Sequence, residues 1–417
     1  MPLLSHADLT PEDFLTFFRL ADAASEGIAA PDGWRSLVAA DLGLEPGRFD
    51  GDWYEKGGAL GGAAARVTVK DGTLAVSFRN TDSAIDYADY PRLTIDPNAP
   101  LVGRSAYIWA FDGLLKAVAD YARDPANGVE RVWVTGHSLG AAAANQLRDL
   151  ASGGDRYGDV FDDATYVTVG SPLVVDDEGP IYNFGYDNDI FFRTVNLFRG
   201  GNASAPDNLV FYDAGYAGGA GRALAPHSLG GLFEHPDAYF TGIERLVAAR
   251  VDEIPGLDQD QLVVVDAFDG AVVNPRPDRA ALMLGERAEA DTITGGAGAD
   301  TIVGGGGDDR LAGGGGADLF RFVFDAQTAA GRATIADAGP GDAVQVAGLA
   351  LAPAASADAA ALTAGGWAVS AAEGVTLLSF GLDAAPGADF AVRLAGILGT
   401  GDFTVSGDTL VIGGAIA

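Results

Sequence analysis

Four histidines, no cysteine and one Gly136-His137-Ser138-Leu139-Gly140 pentapeptide bound the chemistry open to this 417-residue chain. Without cysteine there is no thiol nucleophile, no disulfide framework and no thiolate metal site. A serine between two glycines can attack a carbonyl when it sits on a sharp strand-to-helix turn. The turn exposes the hydroxyl, and the helix aims its first N–H groups at a developing oxyanion. In a chain with 59 glycines the pentapeptide alone is weak, so its flanks decide. Arg131–Thr135 reads as a buried strand and Leu139–Leu150 as a helix, which makes Ser138 the candidate nucleophile. Gly136, Gly140 and Ala141–Ala144 are small enough for strand and helix to pack closely.

A serine nucleophile needs a base, and histidine is the usual one. His137 lies inside the turn and is expected to point away, and His6 precedes the whole sheet; His227 and His235 remain. His235 is preferred because Pro236-Asp237 leads directly into an amphipathic helix (Tyr239, Ile243, Leu246, Val247) that would fix the ring. His227 sits in a Gly/Ala-rich stretch with no rigid neighbour and stays the alternative. The acid that orients the base should fall between serine and histidine in the chain. Asp176, Asp177, Glu178, Asp187, Asp189, Asp207 and Asp213 qualify. Asp189 is preferred because it immediately precedes an apolar run, Ile190-Phe191-Phe192, expected to be a strand whose edge could hold a carboxylate.

A second chemistry lies further on. Three consecutive nonapeptides, starting at Gly295, Gly304 and Gly313, fit the pattern GGxGxDxUx, where U is a large apolar residue. Glycines permit the tight turn and turn carbonyls inward, the aspartate adds charge, and U fills a core. Oxygen-only ligands select Ca²⁺. The expected ligands are Gly295, Ala297 and Asp300; Gly304, Gly306 and Asp309; and Gly313, Gly315 and Asp318. A degenerate copy with Asp291 and Ile293 in register, its glycines lost, comes first. A full turn of such a β-roll takes two repeats, so each ion needs loops n and n+2. The loops ending at Asp300 and Asp318 predict one firm site; those ending at Asp291 and Asp309 predict a weaker one.

Other elements must position these groups. Thr10-Pro11-Glu12-Asp13 is a helix start, with a hydroxyl cap, proline at the first position and acids at the positive end of the dipole. Ala65–Lys70 and Thr73–Phe78 form a hairpin around Asp71-Gly72. The period of Ile108, Phe111, Leu115 and Val118 predicts a helix over Val102–Arg123, and Tyr166–Val169 is another strand. Strand, helix and strand in alternation imply a mostly parallel sheet with helices on both faces. The composition shifts to glycine and aspartate near residue 285, which predicts three regions: 1–280 α/β, 285–330 a calcium-binding β-roll, and 331–417 β-rich. A net charge of −32 argues against nucleic-acid binding. The N-terminus lacks the basic and apolar regions of a Sec signal peptide, and no apolar run is long enough for a transmembrane segment.

Residues 63–250 resemble the class 3 (fungal-lipase-like) hydrolases, and the whole chain resembles the bacterial lipases that carry glycine-rich calcium (RTX) repeats and leave the cell by type I secretion. The resemblance rests on Phe78-Arg79-Asn80-Thr81, on Val134–Gly140, on Tyr166–Pro172, on Asn183–Asp189, and on His235 with Tyr239. Asn80 stands where the family usually has glycine, and the region before His235 is shorter than usual. The resemblance implies an α/β-hydrolase catalytic domain with a Ser138–Asp189–His235 triad, and Thr81 with the Leu139 N–H as oxyanion hole. It implies hydrolysis of lipid esters at an oil–water or membrane interface, triacylglycerol first, with phospholipase A1 or polyester-cleaving activity as alternatives. A non-catalytic calcium-dependent adhesion protein is the rival of another class, and the full triad argues against it. The ending Gly407–Ile412 resembles a type I secretion signal, so an extracellular monomer, exported by an ABC transporter and folded by outside calcium, is expected.

Overall fold

The computed structural model describes residues 3–4, 9–55, 62–80, 90–99, 106–152, 156–175, 181–186, 189, 208–213, 238–257, 262–265, 271–286, 289–324, 331–353, 358–396 and 398–413. The chain divides into two compact units, 1–210 with 219–240, and 211–218 with 241–417.

The first unit opens on α1 (Pro11–Ser25). Thr10 and Asp13 exchange hydrogen bonds in a reciprocal capping box, each side chain taking the other's backbone N–H. Phe14, Phe17 and Phe18 are fully buried. Phe17 stacks on Trp133 with ring centroids 4.3 Å apart, and Phe14 and Phe18 meet Phe184 edge-on. Strands β1 (Ala64–Lys70) and β2 (Thr73–Phe78) form the expected hairpin; Asp71 and Gly72 take φ of +45° and +75°, matching its twist. From β2 the sheet continues in parallel through β3 (Arg131–His137), β4 (Thr165–Val169) and β5 (Ile181–Tyr186).

Because side chains alternate along a strand, Trp133 faces α1 while Val134 faces the opposite layer. There it joins Leu114, Leu115 and Val118 of α2 (Asp112–Arg123) and Leu139 and Leu147 of α3 (Leu139–Ser152). Helices therefore cover both faces. The helix expected from Val102 is divided among the described residues: Tyr107–Phe111 is a 3₁₀ segment and α2 begins only at Asp112. The Ile108 N–H, one of the first donors of that segment, is taken up by Gln146 Oε1 of α3 at 3.0 Å.

The second unit is a parallel two-sheet roll. Strands 271–273, 292–296, 310–314 and 332–335 form one sheet. Strands 262–265, 281–284, 301–303, 319–322 and 343–346 form the other. Thr292 faces Arg310 and Thr301 faces Leu319, eighteen residues on, so one roll turn takes two nonapeptides. Ile293, Ile302, Leu311 and Phe320, each two places after an aspartate, are fully buried. The roll reaches beyond residues 285–330 in both directions. Its first turns precede the compositional change, so the compact units part nearer residue 240 than 280. On the far side Leu319 pairs with Ala343, a step of twenty-four, and the longer step hides that turn from a search at period nine. Strands 366–372, 375–380 and 390–395 follow as an antiparallel meander, and 403–406 with 409–412 as a closing hairpin. Among the described residues no helix is long and apolar enough to cross a membrane.

Candidate active site and calcium turns

Strand β3 ends at His137 and α3 begins at Leu139, which leaves Ser138 alone at the corner with φ of +53°. Residues with a β-carbon avoid this left-handed region unless their surroundings impose it. Here the backbone is held from both sides. The Ser138 N–H donates to the Val169 carbonyl at 3.0 Å, and its own carbonyl accepts the Ala142 N–H at 3.0 Å. The glycines make the corner possible. A β-carbon on Gly136 would lie 2.5 Å from the Gly140 carbonyl carbon, and one on Gly140 would lie 2.2 Å from the Phe78 carbonyl oxygen. The start of α3 is thus pressed onto the ends of β2 and β3, and Leu139, the expected oxyanion donor, is its first residue.

Asp189 follows β5 and is fully buried. Its N–H donates to the Tyr186 carbonyl at 3.0 Å, which fixes the backbone beyond the strand's end. A buried carboxylate needs a charge or a donor, and the Tyr239 hydroxyl supplies one, donating to Asp189 Oδ2 at 2.6 Å. Burial, and after it the Asp189 charge, push the Tyr239 hydroxyl well above its ordinary pKa, so it remains the proton donor. Tyr239 lies in the first turn of α4 (Ala238–Ala248), the helix expected after His235.

Ser138 and Asp189 therefore stand beyond the carboxyl ends of β3 and β5, with β4 between those strands. That edge is where parallel α/β sheets place their sites. Thr81, His227, His235 and the expected strand at 190–192 lie outside the described residues. So do Asp176, Asp177, Glu178, Asp187 and Asp207, while Asp213 ends the strand Asn208–Asp213.

Two polar contacts near the turn were not foreseen. Asn80 Nδ2 lies 3.5 Å from His137 Nδ1, which gives the departure from glycine a neighbour beside the nucleophile. Asn145, seven residues into α3, donates to Asn183 Oδ1 at 2.7 Å and accepts the Val175 N–H at 3.1 Å. This buried amide ties α3 to β5 and to the segment after β4. A lone asparagine in an alanine-rich helix could have signalled it.

In the roll, the aspartates form a ladder. Asp300 Oδ1 accepts the Ala281 N–H, Asp309 that of Asp291, Asp318 that of Asp300, and Asp342 that of Asp318, at 2.7–3.1 Å. The first glycine of each turn makes room for the carboxylate. A β-carbon on Gly295, Gly304 or Gly313 would lie 2.5, 2.7 or 2.1 Å from Oδ2 of its own aspartate. The degenerate copy keeps this device after all: Gly285 stands one place earlier, where a β-carbon would lie 2.6 Å from Asp291 Oδ2.

Burial pushes Asp309 up to about 7 and Asp318 up to about 6, reinforced by nearby acids (Asp291 and Asp308 for the first, Asp342, Asp300 and Asp337 for the second), and burial raises Asp300. Carboxylates this buried, in turns built on glycine, suit a hard divalent cation bound through oxygen. Asp300, Asp309 and Asp318 would bind it with carbonyls of the turns that begin at Gly295, Gly304 and Gly313. Its chemistry there is charge compensation and cross-linking of successive turns.

Residues 93–196, which include Ser138 and Asp189, match the lipase (class 3) family, and residues 288–320 match the RTX calcium-binding nonapeptide repeat. Two lipases of Pseudomonas fluorescens are 35% and 36% identical over 151 and 152 residues, each match covering 33% of this chain and 33% and 31% of the relative. The matched part thus spans about a third of the length of these curated relatives. Among solved structures, the extracellular lipase LipA from Serratia marcescens aligns with 95% of this chain and 73% of its own length. The TM-score is 0.52 at 21% identity, a likeness of fold. The first unit has the α/β-hydrolase fold, and the chain joins a region similar to class 3 lipases to one similar to RTX calcium-binding repeats.

Proposed function

We propose that the protein is a secreted carboxylic ester hydrolase, a triacylglycerol lipase, that works through an acyl-enzyme on Ser138. The observation that carries this reading is the left-handed backbone of Ser138 at a strand-to-helix corner, with a buried, hydrogen-bonded Asp189 at the end of a neighbouring strand. In the first step His235 takes the proton of the Ser138 hydroxyl as its oxygen attacks the ester carbonyl. The Leu139 N–H and Thr81 receive the oxyanion, and the alcohol leaves with the proton from His235. Water then repeats the sequence on the acyl-enzyme and releases the acid. Asp189 holds the histidine in the tautomer that accepts the serine proton. Calcium supplied outside the cell would fold the roll after export through a type I transporter.

A panel of short esters, emulsified triacylglycerol and phospholipid, assayed with calcium present, tests the substrate. Emulsified triacylglycerol should be hydrolysed fastest; a preference for phospholipid would move the reading to phospholipase. In the same assay His235→Ala should abolish hydrolysis, whereas His227→Ala should leave most of it. The reverse pattern would reassign the base.

A further inference from the structure

We propose that Tyr239 is a positioning residue for the hydrolysis, its hydroxyl fixing one oxygen of Asp189 so that the other is held toward the base. The proposal rests on the reading of Asp189 as the orienting acid.

A carboxylate on a short side chain can rotate about its last bond, and whichever oxygen meets the imidazole must be kept there for the ring to stay aligned. At Asp189 the Tyr239 hydroxyl resists that rotation by holding Oδ2 at 2.6 Å. The donor is itself fixed. The Tyr239 oxygen accepts the Tyr186 N–H at 3.2 Å, so the last residue of β5 orients the hydroxyl that binds the acid three residues later. The ring is fully buried and lies against that of Tyr186, with centroids 4.8 Å apart.

It also reaches the nucleophile's side of the site. Its edge meets the ring of His137, the residue before Ser138, at 6.1 Å between centroids. Gly170, at φ of +59°, leaves room for it: a β-carbon there would lie 3.2 Å from both Tyr239 Cε2 and Oη. One side chain thus touches the residue before the nucleophile, the turn after β4 and the acid. A merely space-filling aromatic would need none of the hydroxyl's two hydrogen bonds, and phenylalanine would serve as well.

The test is Tyr239→Phe in the full chain with calcium, beside Asp189→Asn. Loss of one charge-assisted hydrogen bond predicts a fall in kcat of about tenfold, with KM unchanged. The acid limb of the pH profile of kcat/KM should also move to higher pH. Without the donor a buried Asp189 protonates more readily; if it stays ionised, its fuller charge raises the pKa of the histidine it faces. Both shifts have the same sign.

Unchanged kinetics in Tyr239→Phe, with Asp189→Asn crippled, would overturn the proposal and leave the triad standing. A loss of activity without movement of the acid limb would reduce Tyr239 to a structural role and overturn it too. Full activity in Asp189→Asn would remove the acid assignment and the proposal with it. Should Tyr239→Phe fail to fold, 3-fluorotyrosine at the same position keeps the ring and strengthens the donor. The acid limb must then move to lower pH, and an unmoved limb counts against the proposal.

Discussion

The corner at Ser138 and the turns of the roll both depend on glycine, yet they use it for opposite ends. At the corner, Gly136 and Gly140 let backbone meet backbone, and the strained serine is held by bonds the chain makes with itself. In the roll, Gly295, Gly304 and Gly313 make room for charge. Each turn buries a carboxylate whose partners within the chain are neutral N–H groups. The corner is held by the chain itself, whereas the carboxylates of the roll are of the kind that a cation from solution would compensate. A molecule built this way carries a preformed corner at Ser138 together with repeats that bind calcium.

Chelation should separate the two most sharply. With calcium removed, backbone amides of the strands between 281 and 346 should exchange with solvent by orders of magnitude faster, while those of β3 and β4 keep their protection. Equal loss in both would break the distinction, and unchanged exchange in the roll would show that calcium does not hold it.

Gly140→Ala addresses the corner. With a methyl group set 2.2 Å from the Phe78 carbonyl oxygen, the first unit should lose about 3 kcal/mol in denaturant melts. A neutral result would mean that α3 does not rest on β2 as closely as described.

The smallest effect concerns pH. Asp309 and Asp318 have folded pKa values raised to about 7 and about 6, so between pH 4 and 7 the folded roll binds protons that the unfolded chain releases. The calcium-free roll should therefore lose stability as pH rises through that window. Saturating calcium should abolish or reverse the trend, because the ion takes the place of the protons. Thermal melts at pH 5 and pH 8, with and without calcium, read this directly. A calcium-free roll more stable at pH 8 would contradict it.

Much of this was written locally in the chain. The Asp71-Gly72 hairpin and the cap at Thr10 depend on neighbours a few residues away, and the glycines around Ser138 mark its corner, although Val169 and Phe78 help to hold it. The eighteen-residue register follows from the nine-residue repeat in the same way. Contacts between distant segments were not legible. Tyr239 meets Asp189 across fifty residues, and nothing in an amphipathic helix marks which buried tyrosine donates to an acid. Arg321 occupies the last, variable place of a nonapeptide, yet its guanidinium is buried and donates to the carbonyls of Ala249 and Arg250 and to Glu253. It caps a helix end some seventy residues earlier. The bond from the Ile108 N–H to Gln146 Oε1 likewise joins segments thirty-eight residues apart, which the helical period does not reveal.

The central claim is that Ser138 is a reactive nucleophile made so by its corner. Incubating calcium-loaded protein with a fluorophosphonate and mapping the adduct by mass spectrometry tests it most directly. A stoichiometric adduct on Ser138, absent from Ser138→Ala, is the predicted result; no adduct, or one on another serine, would contradict it.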